Sequence, residues 1–234
     1  MTPRIERVAV DALCVHLADA IDPDLLPWLQ AADQALRQRF AGCLIDLVPA
    51  YTSLLLHYDL VQLNEQQALA WATEVLQDLQ PAATRSGQLH QLPVWYAPEV
   101  GPDLRAVATR LGCSQRELIR RHSQPIYQVY ALGFAPGFAY LGLLDPALAL
   151  PRLATPRQQV PAGSVAIAER QTAIYPLPSP GGWHLLGRMP LPLFDPHTPP
   201  YSLLQPGDQV QLVAIERDEF IRLGGDPTPC EAPQ

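Results

Sequence analysis

Apolar positions recur at two different spacings along this chain, and the change from one to the other divides it. Leu29, Ala32, Leu36 and Phe40 follow at intervals of three to four, which puts them on one face of a helix that Gly42 ends. Asp22 and Pro23 precede it as a cap and a first-turn proline, and Pro27 moves the regular helix toward Trp28. A second helix carries Leu69, Ala72, Leu76 and Leu79; Asn64 and Gln67 open it as a capping box, and Pro81 stops it. Strand-type runs flank these helices at residues 12–17, 44–48, 52–58 and 91–96, the middle two joined as a hairpin through Pro49-Ala50-Tyr51. The order β-α-β-β-α-β is the ferredoxin-like pattern, so residues 1–98 are expected to form an α+β domain.

Two short helices follow. Gly101-Pro102-Asp103 opens the first, which carries Leu104, Val107 and Leu111 and ends at Gly112; Ser114 and Glu117 cap the second, which ends near His122. From Pro125 the pattern changes. Of 26 prolines, 18 lie in this last stretch, so long helices are excluded. Short β-type runs alternate with turns at residues 126–132, 164–168, 172–175, 183–186 and 209–215, the last after the turn Leu204-Gln205-Pro206-Gly207-Asp208. Many short strands between Gly/Pro turns predict a barrel or sandwich over residues 99–234, with the two helices leading it.

Composition narrows the function classes. The chain is 48% hydrophobic and 17% charged, which supports a sizeable core. A net charge of -7 argues against broad binding to nucleic acid or to an anionic membrane. All 16 basic residues are arginine, which excludes a Schiff-base lysine and a phosphate-loop lysine. The four cysteines are widely separated, so no metal is expected. With no apolar run of membrane-spanning length and no signal-like N-terminus, the expected compartment is the cytoplasm. Residues 107–115 look like a helix-turn-helix, and residues 101–122 carry five arginines against two acids, but the acidic whole opposes DNA binding.

Candidate chemistry falls in three blocks. Gly133-Phe134-Ala135-Pro136-Gly137-Phe138-Ala139-Tyr140-Leu141-Gly142 is too glycine-rich for an ordinary strand; it reads as a ligand-approaching loop with aromatic walls, or as a tight aromatic corner. Arg157 in a proline-stiffened loop is a candidate carboxylate anchor. Gln171 and Thr172 offer neutral donors and acceptors for an amide or lactam, with Tyr175 and Trp183 nearby in sequence. His122 and Glu99 are candidate proton-transfer groups; the alternatives are a helix C-terminal imidazole and a helix-capping acid. No complete nucleophile-base-orienter set is visible.

These blocks, with Val48-Pro49-Ala50-Tyr51-Thr52-Ser53, His57-Tyr58-Asp59, Gly101-Pro102-Asp103-Leu104, His122-Ser123, Pro180-Gly181-Gly182-Trp183, Gly187-Arg188 and Leu193-Phe194-Asp195-Pro196, resemble the B subunit of bacterial 5-oxoprolinase, also described as allophanate hydrolase subunit 1 or the KipI type. The resemblance covers about residues 5 to 220. It implies a cyclophilin-like C-terminal barrel, C-subunit-like and A-subunit-like partners, and ATP-dependent opening of a lactam, 5-oxoproline, to glutamate, with magnesium accompanying the nucleotide. It also leaves room for a non-catalytic regulator that inhibits a sensor histidine kinase, or for one subunit of an allophanate- or urea-type amidohydrolase. Arg157, Gln171, Thr172, Phe134, Gly137, Tyr175 and Trp183 become the implied substrate-binding set. Two departures stand out: Ala97-Pro98 precedes Glu99 where the family has glycines, and Glu169 and Ala173 flank Arg170-Gln171-Thr172 where glycines are usual.

Overall fold

The computed structural model describes residues 3–82 and 87–230. The chain divides into two compact units, residues 1–86 and 87–234.

The first unit contains β1 (Arg4–Ala9), β2 (Ala12–His16), α1 (Leu26–Arg39), β3 (Leu44–Ala50), β4 (Ser53–Tyr58) and α2 (Glu65–Gln77). Its sheet has the order β1-β2-β4-β3, antiparallel throughout. Pro27 sits within the first turn of α1, where a missing N–H costs no helical bond. The α2 capping box is complete: the Asn64 side chain accepts from the Gln67 amide, and the Gln67 side chain accepts from the Asn64 amide. Leu29, Ala32, Leu36, Ala68, Ala72 and Leu76 meet Leu13, Val15, Leu47, Leu54 and Leu56 in one apolar core.

The predicted ferredoxin-like order is corrected here. Residues 91–96 do not close this sheet; β1 takes the fourth place, at the edge beside β2. Its alternation of charged and apolar residues gave no core signal because nearly every position of β1 is exposed.

The second unit begins with β5 (Leu89–Trp95), α3 (Leu104–Arg110) and α4 (Gln115–Ser123). It continues with β6 (Ile126–Leu132), β7 (Ala139–Gly142), β8 (Arg157–Val160), β9 (Ser164–Ala168) and β10 (Gln171–Ile174). It ends with β11 (Ser179–Gly181), β12 (His184–Arg188), β13 (Gln209–Ile215) and α5 (Arg217–Arg222). Seven strands close a barrel in the order β10-β7-β6-β13-β5-β12-β9, while β8 and β11 form a separate two-stranded arm. The closure rests on β5, which pairs in parallel with β13 along all seven residues from Leu89 to Trp95. Leu92, Val94, Val129, Leu141, Val165, Ile167, Ile174, Leu186 and Leu212 fill one core, and Leu104, Val107 and Leu118 of α3 and α4 pack into it.

The glycine- and aromatic-rich block is a tight aromatic corner, residues 133–138, that leads into a short strand. Ala139–Gly142 is β7, paired antiparallel with β6. Its turn holds Gly133, Pro136 and Gly137, and there the Gly133 N–H donates to the Phe138 carbonyl at 3.1 Å.

Candidate functional site

Strands alternate their side chains between two faces, so alternate positions of β9, β10 and β12 form a second buried cluster apart from the main core. Phe138, Ala166, Ala168, Ala173, Tyr175, Trp183 and Leu185 cluster there. Five aromatic rings meet in edge-on or tilted contacts. Phe138 lies 4.9 Å from Tyr140, 5.3 Å from Tyr175 and 6.2 Å from Trp183, and Phe134 packs on Phe138 at 5.2 Å. Arg152 stands over the Trp183 ring at 6.0 Å. Three predicted residues, Phe134, Tyr175 and Trp183, are thus brought together. Phe134 remains 63% exposed and holds a positive φ of 74°. It and Gly137 line a shallow depression of about 390 Å3 at the hairpin turn. Gly181 lies beneath Tyr175, and a Cβ on it would stand 2.3 Å from the phenol oxygen, so no larger residue fits without moving that ring. Burial pushes the Tyr175 hydroxyl up to about 12, against the opposing pull of Arg152 and Arg157.

Arg157 does not stand free. Its Nη2 donates to Asp103 Oδ1 at 2.8 Å and its Nη1 to the Trp183 carbonyl at 3.3 Å, with both partners of the ion pair buried. The second oxygen of Asp103 accepts from the Leu185 amide at 2.7 Å. Asp103 therefore leaves α3 without a side-chain cap and ties the arm strand β8 to the barrel strand β12. Arg157, the expected substrate-carboxylate anchor, thus spends both terminal nitrogens on the fold, while its Nε is buried without a hydrogen bond.

His122 and Thr172 are also joined, and both are fully buried. The Thr172 hydroxyl donates to the Ala166 carbonyl at 3.0 Å, so its oxygen accepts from His122 Nε2 at 2.8 Å. His122 Nδ1 then accepts from the Tyr96 hydroxyl at 2.9 Å. Burial alone drives the imidazole down to about 3. At neutral pH His122, the expected proton-transfer group, is uncharged, and its two ring nitrogens tie Tyr96 to Thr172. Glu99 is exposed in the turn after β5 and is not among the partners of His122. Its carbonyl accepts from the Cys230 amide at 2.7 Å. Gln171 opens β10, half-buried.

The residue that sequence reasoning passed over is Arg188, noted only as part of a Gly-Arg pair. Across the sheet, Trp95, Arg188, Ser164 and Tyr175 follow one another on β5, β12, β9 and the residue after β10. Arg188 is only 2% exposed and has no carboxylate partner among the described residues. Its Nη1 donates to the carbonyls of Asp226 and Thr228, both at 2.8 Å, while Nε and Nη2 are buried without a hydrogen bond. The adjacent Ser164 Oγ is likewise buried and unbonded. Gly163 brings these strands close: with a φ of 77°, it would put a Cβ 2.3 Å from the Met189 carbonyl. No local sequence signal separated Arg188 from Arg157; only counting each guanidinium's partners does.

The helix-turn-helix appearance has a simpler basis. Glu117 accepts from both Arg120 and Arg121, which holds its carboxyl down at about 2 and takes two of the five local arginines out of play.

Comparison with known proteins adds to this geometry. Residues 3–204 match the family model described as carboxyltransferase domain, subdomain C and D. The chain is 35% identical over 227 residues to the 5-oxoprolinase B subunit of Bacillus subtilis (strain 168), covering 93% of this chain and 95% of the relative. It belongs to the 5-oxoprolinase B-subunit family. Over 123 residues it is 50% identical to the family member of Escherichia coli O157:H7, covering 53% of this chain and 56% of that one. Among solved structures, the crystal structure of TTHA0988 superposes with a TM-score of 0.77 at 40% identity, covering 88% of this chain. This B-subunit family member spans 40% of that longer chain. Among the described residues, no helix is long and apolar enough to cross a membrane.

Proposed function

We propose that this chain is the B subunit of an ATP-dependent 5-oxoprolinase and acts with A-subunit-like and C-subunit-like proteins to open 5-oxo-L-proline to L-glutamate. The observation that carries this reading is the near end-to-end match to a 5-oxoprolinase B subunit. The aromatic cluster supports it: Phe134, exposed at the hairpin-turn depression and packed on the buried Phe138, offers a face against which a small, flat lactam ring packs.

We place the magnesium-ATP on the partner subunits. The chain has no lysine, and among the described residues no three His, Cys, Asp or Glu side chains cluster as metal ligands. Nor does His122 supply a base, since it is enclosed with both ring nitrogens bonded. In this reading the chain binds and orients the lactam and keeps water from it, and the nucleotide chemistry belongs to the partner subunits.

Two measurements test this. Co-expression with a C-subunit-like protein is expected to yield a stable complex on co-purification. Phosphate release driven by 5-oxo-L-proline is expected only when the partners are present. Substrate-driven release by the chain alone, at the rate of the full mixture, would overturn the reading.

A further inference from the structure

Arg188 presents a charge that the fold has buried with no carboxylate bonded to it among the described residues. A guanidinium stays protonated at any ordinary pH, and an enclosed charge without an anionic partner is costly. Burial is the main influence on this group and pulls its pKa down. The nearby acid Asp226 acts on it only through space: Asp226 Oδ1 accepts instead from the amide and hydroxyl of Thr228, at 2.9 and 2.6 Å.

The unbonded atoms share one edge of the group. Nε and Nη2 point the same way and together match the two oxygens of a carboxylate. This chain uses that edge elsewhere. Arg120 donates through Nε and Nη2 to the two oxygens of Glu117, both at 2.8 Å, and Arg222 does so to Glu219 at 3.1 and 2.6 Å. Those pairs lie on the surface, whereas in Arg188 the same edge is enclosed and empty-handed. Ser164, its direct neighbour on β9, adds a hydroxyl that also lacks a partner.

We propose that the Nε/Nη2 edge of Arg188 and the Ser164 hydroxyl form a binding site for a small carboxylate, closed over by residues 226–230. The cover is suited to opening. It is neither strand nor helix. The carbonyls of Asp226 and Thr228 hold it to Arg188, and the Cys230 amide holds it to the Glu99 carbonyl. Those two carbonyls occupy Nη1 and so fix the guanidinium while leaving its Nε/Nη2 edge unused. The site lies beside Tyr175 in the cross-strand row, so a carboxylate held there has its remaining atoms within reach of the aromatic wall. That the carboxylate is the one on 5-oxoproline rests on the function proposed above; that the ligand is a carboxylate does not.

Titration calorimetry on the full chain, alone and with its C-subunit-like partner, tests the site with 5-oxo-L-proline, L-glutamate, L-lactate and the uncharged lactam 2-pyrrolidinone. Wild-type protein is expected to bind 5-oxo-L-proline and not 2-pyrrolidinone. Arg188→Lys keeps the charge but loses the paired edge, and is expected to weaken binding about 10- to 100-fold. Ser164→Ala is expected to weaken it roughly 5- to 10-fold without lowering the melting temperature, since the lost hydroxyl bonds nothing in the free protein. Wild-type affinity for 5-oxo-L-proline in both variants would overturn the site and leave the enzyme reading standing. Binding of lactate or glutamate instead, still dependent on Arg188, would support the site and count against 5-oxoproline. Failure of every carboxylate to bind wild-type protein, alone and in complex, would also overturn the site.

Discussion

Asp103→Ala is expected to destabilise the barrel unit by about 3–5 kcal/mol, the cost of leaving a buried arginine without its carboxylate. Arg157 would keep only the 3.3 Å bond from Nη1 to the Trp183 carbonyl, and the Leu185 amide would lose its acceptor as well. The loss comes from breaking the pair and is not the worth of the pair itself. Removing both charges with Asp103→Ala/Arg157→Met should therefore recover most of it. Urea unfolding measures this, followed by tryptophan fluorescence in a Trp28→Phe/Trp71→Phe background, so that only Trp95 and Trp183 of this unit report. Equal stability of wild type and the single variant would show that Asp103 does not brace the arm, and would reopen Arg157 as a free anion clamp.

Stability should also fall as the medium is acidified, and His122 sets much of the slope. In the unfolded chain its imidazole titrates near 6.5; in the folded protein it titrates at about 3. Above pH 6.5 the ring is neutral in both states and its full contribution is present. Below that, the unfolded chain takes up a proton that the folded one refuses, so stability drops with falling pH until about pH 3. Each pH unit in that window costs about 1.4 kcal/mol, or roughly 4–5 kcal/mol over the whole range. Carboxylates titrate in the same region, so the discriminating measurement compares wild type with His122→Gln. The variant should be less stable at pH 7, because Tyr96 and Thr172 lose their shared partner, yet show a shallower decline between pH 6.5 and 4.5. Parallel curves for the two proteins would mean that His122 is not held neutral by burial.

Where the chain's local chemistry carried its own instruction, the sequence was sufficient. The Asn64–Gln67 box opened α2 as read, because both halves of a cap lie within four residues. Ser114 capped α4 through the Glu117 amide, although the Glu117 side chain turned to two arginines rather than completing the box. The apolar runs at Ile126–Leu132, Ser164–Ala168 and Gln209–Ile215 became strands at those bounds. The order of motifs was enough to reach the family.

Glu169 marks the boundary of such reading. It stands where glycine is usual in the family, yet Glu169 adopts a φ of 53° in the turn between β9 and β10. The pairing of those strands from Gln171–Ala168 to Ile174–Val165 imposes the turn, and the residue accepts a strain of about 1 kcal/mol.

Partners distant in the chain lay beyond it. Residues 91–96 were recognisable as strand, but the same apolar pattern fits the end of one sheet or the closure of another barrel. Only the parallel pairing of β5 with β13, from Leu89–Gln209 to Trp95–Ile215, decided between them. The site followed the same rule. Arg157 and Arg188 are both arginines in Pro/Gly-rich surroundings, and composition cannot say which one already has a counter-ion. Asp103, 54 positions before Arg157, answers the first; backbone carbonyls at 226 and 228 meet the second at one nitrogen and leave its other edge open. Sequence thus determined which segments form helix or strand, since caps, turns and alternation act over a few residues. Tertiary structure decided which polar groups are spent and which remain, since a hydrogen bond depends on where two atoms end up rather than on where they stand in the chain.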